Sequence, residues 1–138
     1  ITEDLKLRNR MVEKRLKKLD SIKKEAEEPE IYGEEDYRNL VICWGSTLNI
    51  VLEAVNILED KKTSVLHFSQ IYPLHEKTAE LINKAETIAV VENNATAQFA
   101  RILESRAGVE IDHNVLKYDG LCFASDTLAG KLKEIFQG

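Results

Sequence analysis

The most informative group of polar side chains in the sequence follows a run of apolar residues. Residues 87–91 are apolar or β-branched, as in a strand covered on both faces of a sheet, and Glu92, Asn93 and Asn94 come directly after them. In open α/β sheets, ligands and partners are met at the carboxyl ends of the strands. A carboxylate and two amides suit polar recognition there, of a ligand or of a neighbouring domain. They suit equally a turn in which Asn caps the next helix.

A second candidate is the sequence Gly45-Ser46-Thr47, which follows another apolar run and opens a helical pattern. Backbone N–H groups and hydroxyls at such a place can hold an anion. The later glycines of a dinucleotide-binding fingerprint are missing, and there is no Gly-Lys-Ser/Thr of a phosphate-binding loop. The pattern therefore favours a tight turn in which Ser46 or Thr47 caps the helix.

The remaining chemistry-bearing residues are scattered. Tyr72 precedes a proline, which predicts a stiff exit from a strand, and its ring can either anchor an interface or pack internally. The three histidines have no metal-ligand spacing, and no nucleophile motif or pair of acids on one helix face is present. The sequence therefore contains no complete active site.

The elements that position these groups alternate between strand and helix patterns. Strands are predicted at 40–44, 64–68, 87–91 and 115–118, and helices at 49–58, 75–84, 97–106 and from Ser125 to the end. This alternation predicts an α/β fold in three layers, with a mainly parallel sheet between helices. Right-handed crossovers then place the strand ends, and the candidate groups, on one edge.

Residues 1–28 read as one helix with a single apolar stripe, formed by Leu5, Val12, Leu16, Leu19, Ile22 and Ala26. The segment is slightly basic while the rest of the chain is acidic, and a solvated face with ion pairs is favoured over a binding patch. Pro29 ends the helix, and 29–36 is an acidic linker. We therefore expect an N-terminal helix and linker over 1–36 and an α/β domain over 37–138, from which the helix is separable.

Composition limits the function classes. The 138 residues are 43% hydrophobic and 31% charged, as in a soluble globular protein, and the net charge of -5 disfavours nucleic-acid binding. No apolar run could span a membrane, and no signal peptide is evident. Cys43 lies in a strand pattern and Cys122 in a loop, so a disulfide scaffold is not expected and a reducing cytoplasm fits. The start at Ile1 suggests a processed or excised piece.

Four segments occur together in the order found in one family. Residues 41–47 (VICWGST), 70–74 (QIYPL), 90–98 (VVENNATAQ) and 116–120 (LKYDG) resemble the C-terminal region of the alpha subunit of 2-oxoacid:ferredoxin oxidoreductases, especially the 2-oxoglutarate type. Residues 10–15 (RMVEKR) also resemble the segment that precedes this region. One departure is Ala97, which stands where family members often have glycine and is poorly suited to a positive φ.

The resemblance implies a fold similar to the C-terminal domain of transketolase. It implies that the whole enzyme converts a 2-oxoacid and coenzyme A to acyl-coenzyme A, carbon dioxide and reduced ferredoxin, using thiamine diphosphate, magnesium and an iron–sulfur cluster. Those cofactors are expected on other domains and on the beta subunit, with none in this chain. The expected partners are the remaining domains of the alpha subunit, the beta subunit and ferredoxin, but no nucleic acid or membrane.

Two interpretations remain from the residues themselves. In the first, Gly45, Ser46, Thr47, Tyr72, Glu92, Asn93 and Asn94 belong to an interface of a catalytically inert domain. In the second, the turns at 45–47 and 92–94 form an independent small-ligand or anion-binding module; a flavodoxin-like carrier is a weaker third. The first predicts that Glu92→Ala or Asn94→Ala leaves the stability of the isolated domain nearly unchanged and weakens assembly or activity of the complete enzyme.

Overall fold

A five-stranded sheet forms the centre of the protein, whose computed structural model describes residues 4–137. The strands are β1 (Glu30–Tyr32), β2 (Asn39–Trp44), β3 (Thr63–Phe68), β4 (Thr87–Glu92) and β5 (His113–Leu116). Their order in the sheet is β1-β3-β2-β4-β5. The pairs among β2 to β5 are parallel, and β1 joins β3 in the antiparallel direction.

The described residues form five α-helices. Helix α1 (Leu5–Lys24) precedes the strands, and α2 (Leu48–Leu58), α3 (Thr78–Asn83), α4 (Gln98–Ala107) and α5 (Ser125–Gln137) connect and flank them. Within residues 4–137, none of them is both long enough and apolar enough to cross a lipid bilayer. The helix expected at 75–84 is shorter than predicted, because residues 75–77 form a turn in which the backbone nitrogen of Lys77 donates to Nδ1 of His75.

The two faces of β2 show how the layers form. Leu40 and Ile42 face a cluster that includes Phe99 of α4, whereas Val41 and Cys43 face a second cluster with Leu128 of α5. Because successive side chains of a strand point to opposite faces, an apolar run such as LVIC needs cover on both sides. This arrangement confirms the predicted three-layer α/β fold with a mainly parallel sheet.

The strand β1 lies inside the segment that was expected to be a linker. The acidic run over 29–36 gave no strand pattern, because three residues are too few to show one. After β1 the chain passes close to β3 at Gly33, whose φ is +120°; a Cβ there would lie 2.5 Å from Oγ of Ser64. Only glycine permits this approach, which fixes the edge strand in place. The division of the chain at residue 36 stays a prediction.

Helix α1 stands apart from the sheet, as predicted. It begins after Asp4, whose side chain accepts hydrogen bonds from the backbone nitrogens of Lys6 and Leu7, and it ends four residues before the predicted end at Glu28. The predicted start at residues 1–3 lies outside the described residues. No residue of α1 is buried. Ala26, assigned to the helical stripe, instead leaves the helix and is buried in the body.

Candidate functional site

The carboxyl ends of the parallel strands meet at one edge of the sheet, which we call the strand-end edge. It comprises the turn after β2, the turn after β4 and the loop 117–123 after β5. Two hydrogen bonds join the ends of β4 and β5: the backbone nitrogen of Lys117 donates to the carbonyl of Glu92 at 3.1 Å, and Nδ2 of Asn93 donates to the carbonyl of Leu121 at 3.3 Å. A cleft of about 470 Å³ opens here, and its lining includes Ser46 and Asn93.

The turn after β2 is built by its glycine. Gly45 has a φ of +58°, in the left-handed region that side chains avoid. The hydroxyl of Thr47 donates back to the carbonyl of Trp44 at 2.7 Å and does not cap α2, so the predicted capping role is wrong for Thr47. Ser46 is exposed and lines the cleft, and its hydroxyl forms no hydrogen bond within residues 4–137.

Glu92 differs most from its expected setting. Its side chain is fully buried, at 0% exposure. Oε2 accepts hydrogen bonds from the backbone nitrogen of Phe99 at 2.9 Å and from Nδ2 of Asn94 at 2.7 Å, and Oε1 accepts one from the backbone nitrogen of Ala100 at 3.0 Å. The carboxylate thus satisfies N–H groups in the first turn of α4 and lies at the positive end of its dipole. The carboxylate of Glu92 therefore occupies the place at the N-terminus of α4 where an anion would otherwise bind.

The two asparagines have different roles. Oδ1 of Asn94 accepts hydrogen bonds from the backbone nitrogens of Thr96 and Gln98, at 3.1 and 3.3 Å, so Asn94 shapes the turn that leads into α4. Asn93 is exposed and forms the bridge to Leu121 described above. Of the acid and two amides, only Asn93 presents an exposed side chain at the strand-end edge.

Ala97 adopts the conformation for which alanine was judged unsuitable. It lies between the turn held by Asn94 and the first turn of α4 held by Glu92, and it has a φ of +49° and a ψ of 53°. A left-handed alanine costs on the order of 1–2 kcal/mol. The hydrogen bonds of Glu92 and Asn94 to residues on both sides of Ala97 hold the backbone in this conformation.

Tyr72 lines a different cleft, together with Lys23, Lys24 and Arg106 among others. The guanidinium carbon of Arg106 lies 5.9 Å from the centroid of the Tyr72 ring, and the ring is 45% exposed. The Tyr72–Pro73 peptide bond is cis. The structure therefore brings Ser46 and Asn93 together but places Tyr72 among other neighbours.

The loop after β5 supplies apolar groups that sequence reasoning missed. Tyr118 is 72% exposed and Leu121 is 69% exposed, and both line the same cleft as Ser46. A hydrogen bond from Lys117 holds the pKa of Asp119 below its ordinary value and orders the loop between them. Residue type alone could not have found them, because Phe123 of the same loop is also large and apolar but is buried in the core.

The cysteines differ in accessibility. Cys43 is buried beneath α2, and this burial raises the pKa of its thiol to about 12. Cys122 is exposed at the strand-end edge. Across residues 4–137, no group of three or more His, Cys, Asp or Glu side chains could hold a metal ion.

The sequence of the chain is similar to known alpha subunits. No protein-family model matches it. The 2-oxoacid:ferredoxin oxidoreductase subunit alpha of Saccharolobus solfataricus is 31% identical over 143 residues, covering 99% of this chain and 23% of the relative. The corresponding subunit of Sulfurisphaera tokodaii is also 31% identical, covering 99% and 22%. This chain is a homologue of 2-oxoacid:ferredoxin oxidoreductase alpha subunits. It spans about a quarter of the length of these relatives.

Solved structures agree with this relationship to 2-oxoacid:ferredoxin oxidoreductases. The 2-oxoglutarate:ferredoxin oxidoreductase of Magnetococcus marinus has the same fold, with a TM-score of 0.83 over 96% of this chain and 24% of that one, at 21% identity. The alpha chain of a probable 2-oxoacid ferredoxin oxidoreductase from Thermoplasma acidophilum is 26% identical, with a TM-score of 0.56 over 82% of this chain and all of that one. The likeness in fold thus extends over nearly the whole chain.

Proposed function

We propose that this chain is the C-terminal structural and interface domain of the alpha subunit of a 2-oxoacid:ferredoxin oxidoreductase. The complete enzyme converts a 2-oxoacid and coenzyme A to acyl-coenzyme A and carbon dioxide, and transfers the electrons to ferredoxin in the cytoplasm. The alpha subunits matched over 99% of this chain support this assignment. For the 2-oxoacid we propose 2-oxoglutarate, because the solved relative with the same fold was determined with 2-oxoglutarate, coenzyme A and succinyl-coenzyme A bound.

The observation that carries the interface role is the composition of the strand-end edge. Tyr118 and Leu121 are exposed there, and large exposed aromatic and aliphatic side chains commonly anchor protein interfaces. Asn93 and Ser46 add polar groups that can form hydrogen bonds to a partner. The only carboxylate of the turn after β4, that of Glu92, is instead used within the fold. The edge therefore suits contact with the remaining domains of the alpha subunit or with the beta subunit, and the independent anion-binding module is not supported.

Thiamine diphosphate, magnesium and an iron–sulfur cluster belong to the complete enzyme in this proposal. A cluster of this kind needs several thiolate ligands, and this chain has Cys43, buried with a raised pKa, and Cys122. Residues 4–137 also offer no group of side chains for a metal ion. The two cysteines do not fit an iron–sulfur cluster, and we assign no step of the reaction to this chain.

The activity is tested on the complete alpha subunit with its beta subunit. We expect reduction of a viologen dye that depends on 2-oxoglutarate, coenzyme A and thiamine diphosphate, and no turnover by the isolated chain. A preference for another 2-oxoacid would change the substrate assignment. Turnover by the isolated chain, or no oxoacid-dependent reduction by the complete enzyme, would contradict the proposal.

The interface role is tested with the thiol of Cys122, which lies at the strand-end edge and needs no substitution. A maleimide should modify Cys122 readily in the isolated chain and much more slowly in the complete enzyme, where a partner covers the edge. Cys43 is the internal control, because it is buried in both forms. Equal rates of Cys122 modification in the two forms would show that the edge stays open and would contradict an interface there.

A further inference from the structure

The strand β5 lies at one edge of the sheet and, within residues 4–137, pairs only with β4. The backbone nitrogen of Lys117 donates to the carbonyl of Glu92, which fixes the residues that face β4. Because alternate residues of a parallel strand direct both their N–H and their C=O group to the same neighbour, Val115 also bonds to β4. The backbone N–H and C=O groups of Asn114 and Leu116 therefore point away from the sheet.

The outward backbone groups of Asn114 and Leu116 form no hydrogen bond to the protein within the described residues. Open strand edges can pair with another segment, and proteins protect them with charged side chains, prolines or bulges. The opposite edge has this protection, because β1 is only three residues long, begins with Glu30 and is soon followed by Glu34 and Glu35. Strand β5 contains no Asp, Glu, Lys, Arg or Pro, and its register has no bulge. Its edge therefore lacks comparable protection.

A cleft of about 510 Å³ lies beside this edge, lined by residues of both β5 and α5. Its lining includes the side chains of Leu116, Tyr118 and Ile135. A strand added to β5 would direct every second side chain towards one face of the sheet, where the cleft can accept it. Tyr118 also lines the cleft at the strand-end edge, together with Ser46. The free edge of β5 is therefore continuous with the surface proposed as an interface.

The small number of free backbone groups indicates what can occupy the edge. Each hydrogen bond between neutral backbone groups contributes little net free energy, because it replaces a hydrogen bond to water. The few bonds offered by Asn114 and Leu116 do not offset the translational and rotational freedom that a separate molecule loses on binding. A segment of the same polypeptide loses less freedom, because its tether holds it near the edge at a high effective concentration. The edge is therefore suited to a tethered segment rather than to a free peptide or a second copy.

We propose that an extended segment of the remaining alpha subunit adds to the free edge of β5 as a further strand of the sheet. This inference rests on the proposed function, in which the chain is one domain of that subunit; the chain covers only 23% of the Saccharolobus solfataricus relative. The backbone of the segment forms hydrogen bonds with Asn114 and Leu116, and its side chains on one face enter the cleft beside α5. About four to six residues without proline at the paired positions meet this requirement.

The test is hydrogen exchange of the complete alpha subunit without its beta subunit, resolved to single amides by mass spectrometry. We expect the amides of Asn114 and Leu116 to exchange at least about tenfold more slowly in the complete subunit than in the isolated chain. The amides of Val115 and Lys117 are the internal control, because β4 protects them in both forms. Equal exchange of Asn114 and Leu116 in the two forms would overturn the proposal. Protection that appears only after the beta subunit is added, or that depends on the concentration of the isolated chain, would assign the edge to another occupant and would equally overturn it.

The substitution Asn114→Pro tests the pairing itself. Proline removes the outward N–H group but no hydrogen bond to β4, and it is tolerated at such positions of edge strands, so the isolated chain should remain folded. In the complete subunit, Asn114→Pro should return the amide of Leu116 to its exchange rate in the isolated chain. It should also raise exchange in one short segment outside residues 1–138, which identifies the added strand. The matched variant Asn114→Thr keeps the N–H group and suits a strand, so it should retain the protection.

The outcomes are separable from those of the oxidoreductase assays. Protection of Leu116 that survives Asn114→Pro would contradict pairing at this edge, and the comparison of the two unsubstituted forms decides the question if this variant does not fold. An active complete enzyme with an unprotected β5 edge would refute the added strand alone. A complete protein with a protected edge but no oxoacid-dependent dye reduction would refute the proposed function and still support the added strand.

Discussion

The carboxylate of Glu92 lies under the first turn of α4, where its Oε1 accepts a hydrogen bond from the backbone nitrogen of Ala100 at 3.0 Å. Together with the bond from Phe99, this contact connects the end of β4 to the start of the helix that follows it. A residue that first suggests a binding site is therefore part of the fold. The position of Glu92 reverses the expectation that its removal leaves the isolated domain unchanged.

Replacing Glu92 by Ala should destabilise the isolated chain by about 3 kcal/mol, because two buried backbone N–H groups lose their acceptor. Glu92→Gln should cost less, since the amide keeps one acceptor oxygen. Glu104→Ala, an exposed change on the same helix, should have little effect. Urea denaturation monitored by circular dichroism gives the three values. Unchanged stability in Glu92→Ala would show that water replaces the carboxylate without loss.

Ala97 and Gly108 form a matched pair at the two ends of α4, since both have a positive φ, +49° and +67°. Ala97→Gly should raise the free energy of unfolding by up to about 1 kcal/mol. Glycine relieves the backbone strain, and part of this gain is offset because glycine has more conformational entropy in the unfolded chain. Gly108→Ala should lower the stability by about 1 kcal/mol, because a Cβ there meets no atom within 4 Å and only the backbone penalty remains. Thermal unfolding measures both. If both substitutions changed the stability in the same direction, the left-handed conformation at Ala97 would be refuted.

Asp60 provides a test of pH dependence. Its Oδ2 accepts hydrogen bonds from Oγ1 of Thr63 at 2.7 Å and from Nδ2 of Asn39 at 3.0 Å, and Oδ1 accepts one from the backbone nitrogen of Lys62. These bonds, that of Thr63 foremost, lower the pKa of Asp60 from 3.8. A carboxyl whose pKa is lower in the folded state contributes stability above its unfolded pKa, and this contribution is lost as the pH falls through the folded value.

We therefore expect Asp60→Asn to be less stable than the parent at neutral pH, with a smaller further loss on acidification below about pH 4. Urea unfolding over a series of pH values measures this difference. Glu53→Gln, the same chemical change at an exposed position, is the control and should follow the parent. If the free energies of unfolding of the parent and of Asp60→Asn changed in parallel with pH, the ionisation of Asp60 would make no contribution to stability.

Deletion of residues 1–24 should leave a cooperatively folded α/β body. No residue of α1 is buried, so the loss in free energy of unfolding should remain within about 1 kcal/mol. The comparison is made with the full-length chain under the same conditions. A broad, non-cooperative transition in the deleted chain would show that α1 supports the body after all.

The main elements of the fold could be predicted because their patterns are long. The buried strands β2, β3 and β4 and the helices α2, α4 and α5 have apolar periodicities that distinguish a sheet from a helix. The edge strand β1 could not be found, since its three residues pair through backbone groups and are flanked by acids. Its position depends on the close approach of Gly33 to Ser64, a contact between residues far apart in sequence.

The candidate site was harder to predict, because the sequence does not give the direction of a side chain after a strand ends. Ile88 and Val90 belong to the cluster that includes Phe99, and a period of two puts Glu92 on the same face. That alternation could have predicted a buried acid with a helix N-terminus as its partner. The exposure of Tyr118 and Leu121 depends on the path of a loop, which no short-range pattern determines.

The position of β2 between β3 and β4 has a consequence for synthesis. One edge of β2 pairs with β3, only about two dozen residues further along, whereas the other waits for β4, with Val41 opposite Ala89. A nascent chain that has reached the end of β3 therefore presents an open edge of mostly apolar residues, the type of edge that recruits other strands. On the ribosome this edge stays unpaired until residues 87–92 emerge, so the length of chain between β3 and β4 sets how long the edge is exposed to other strands.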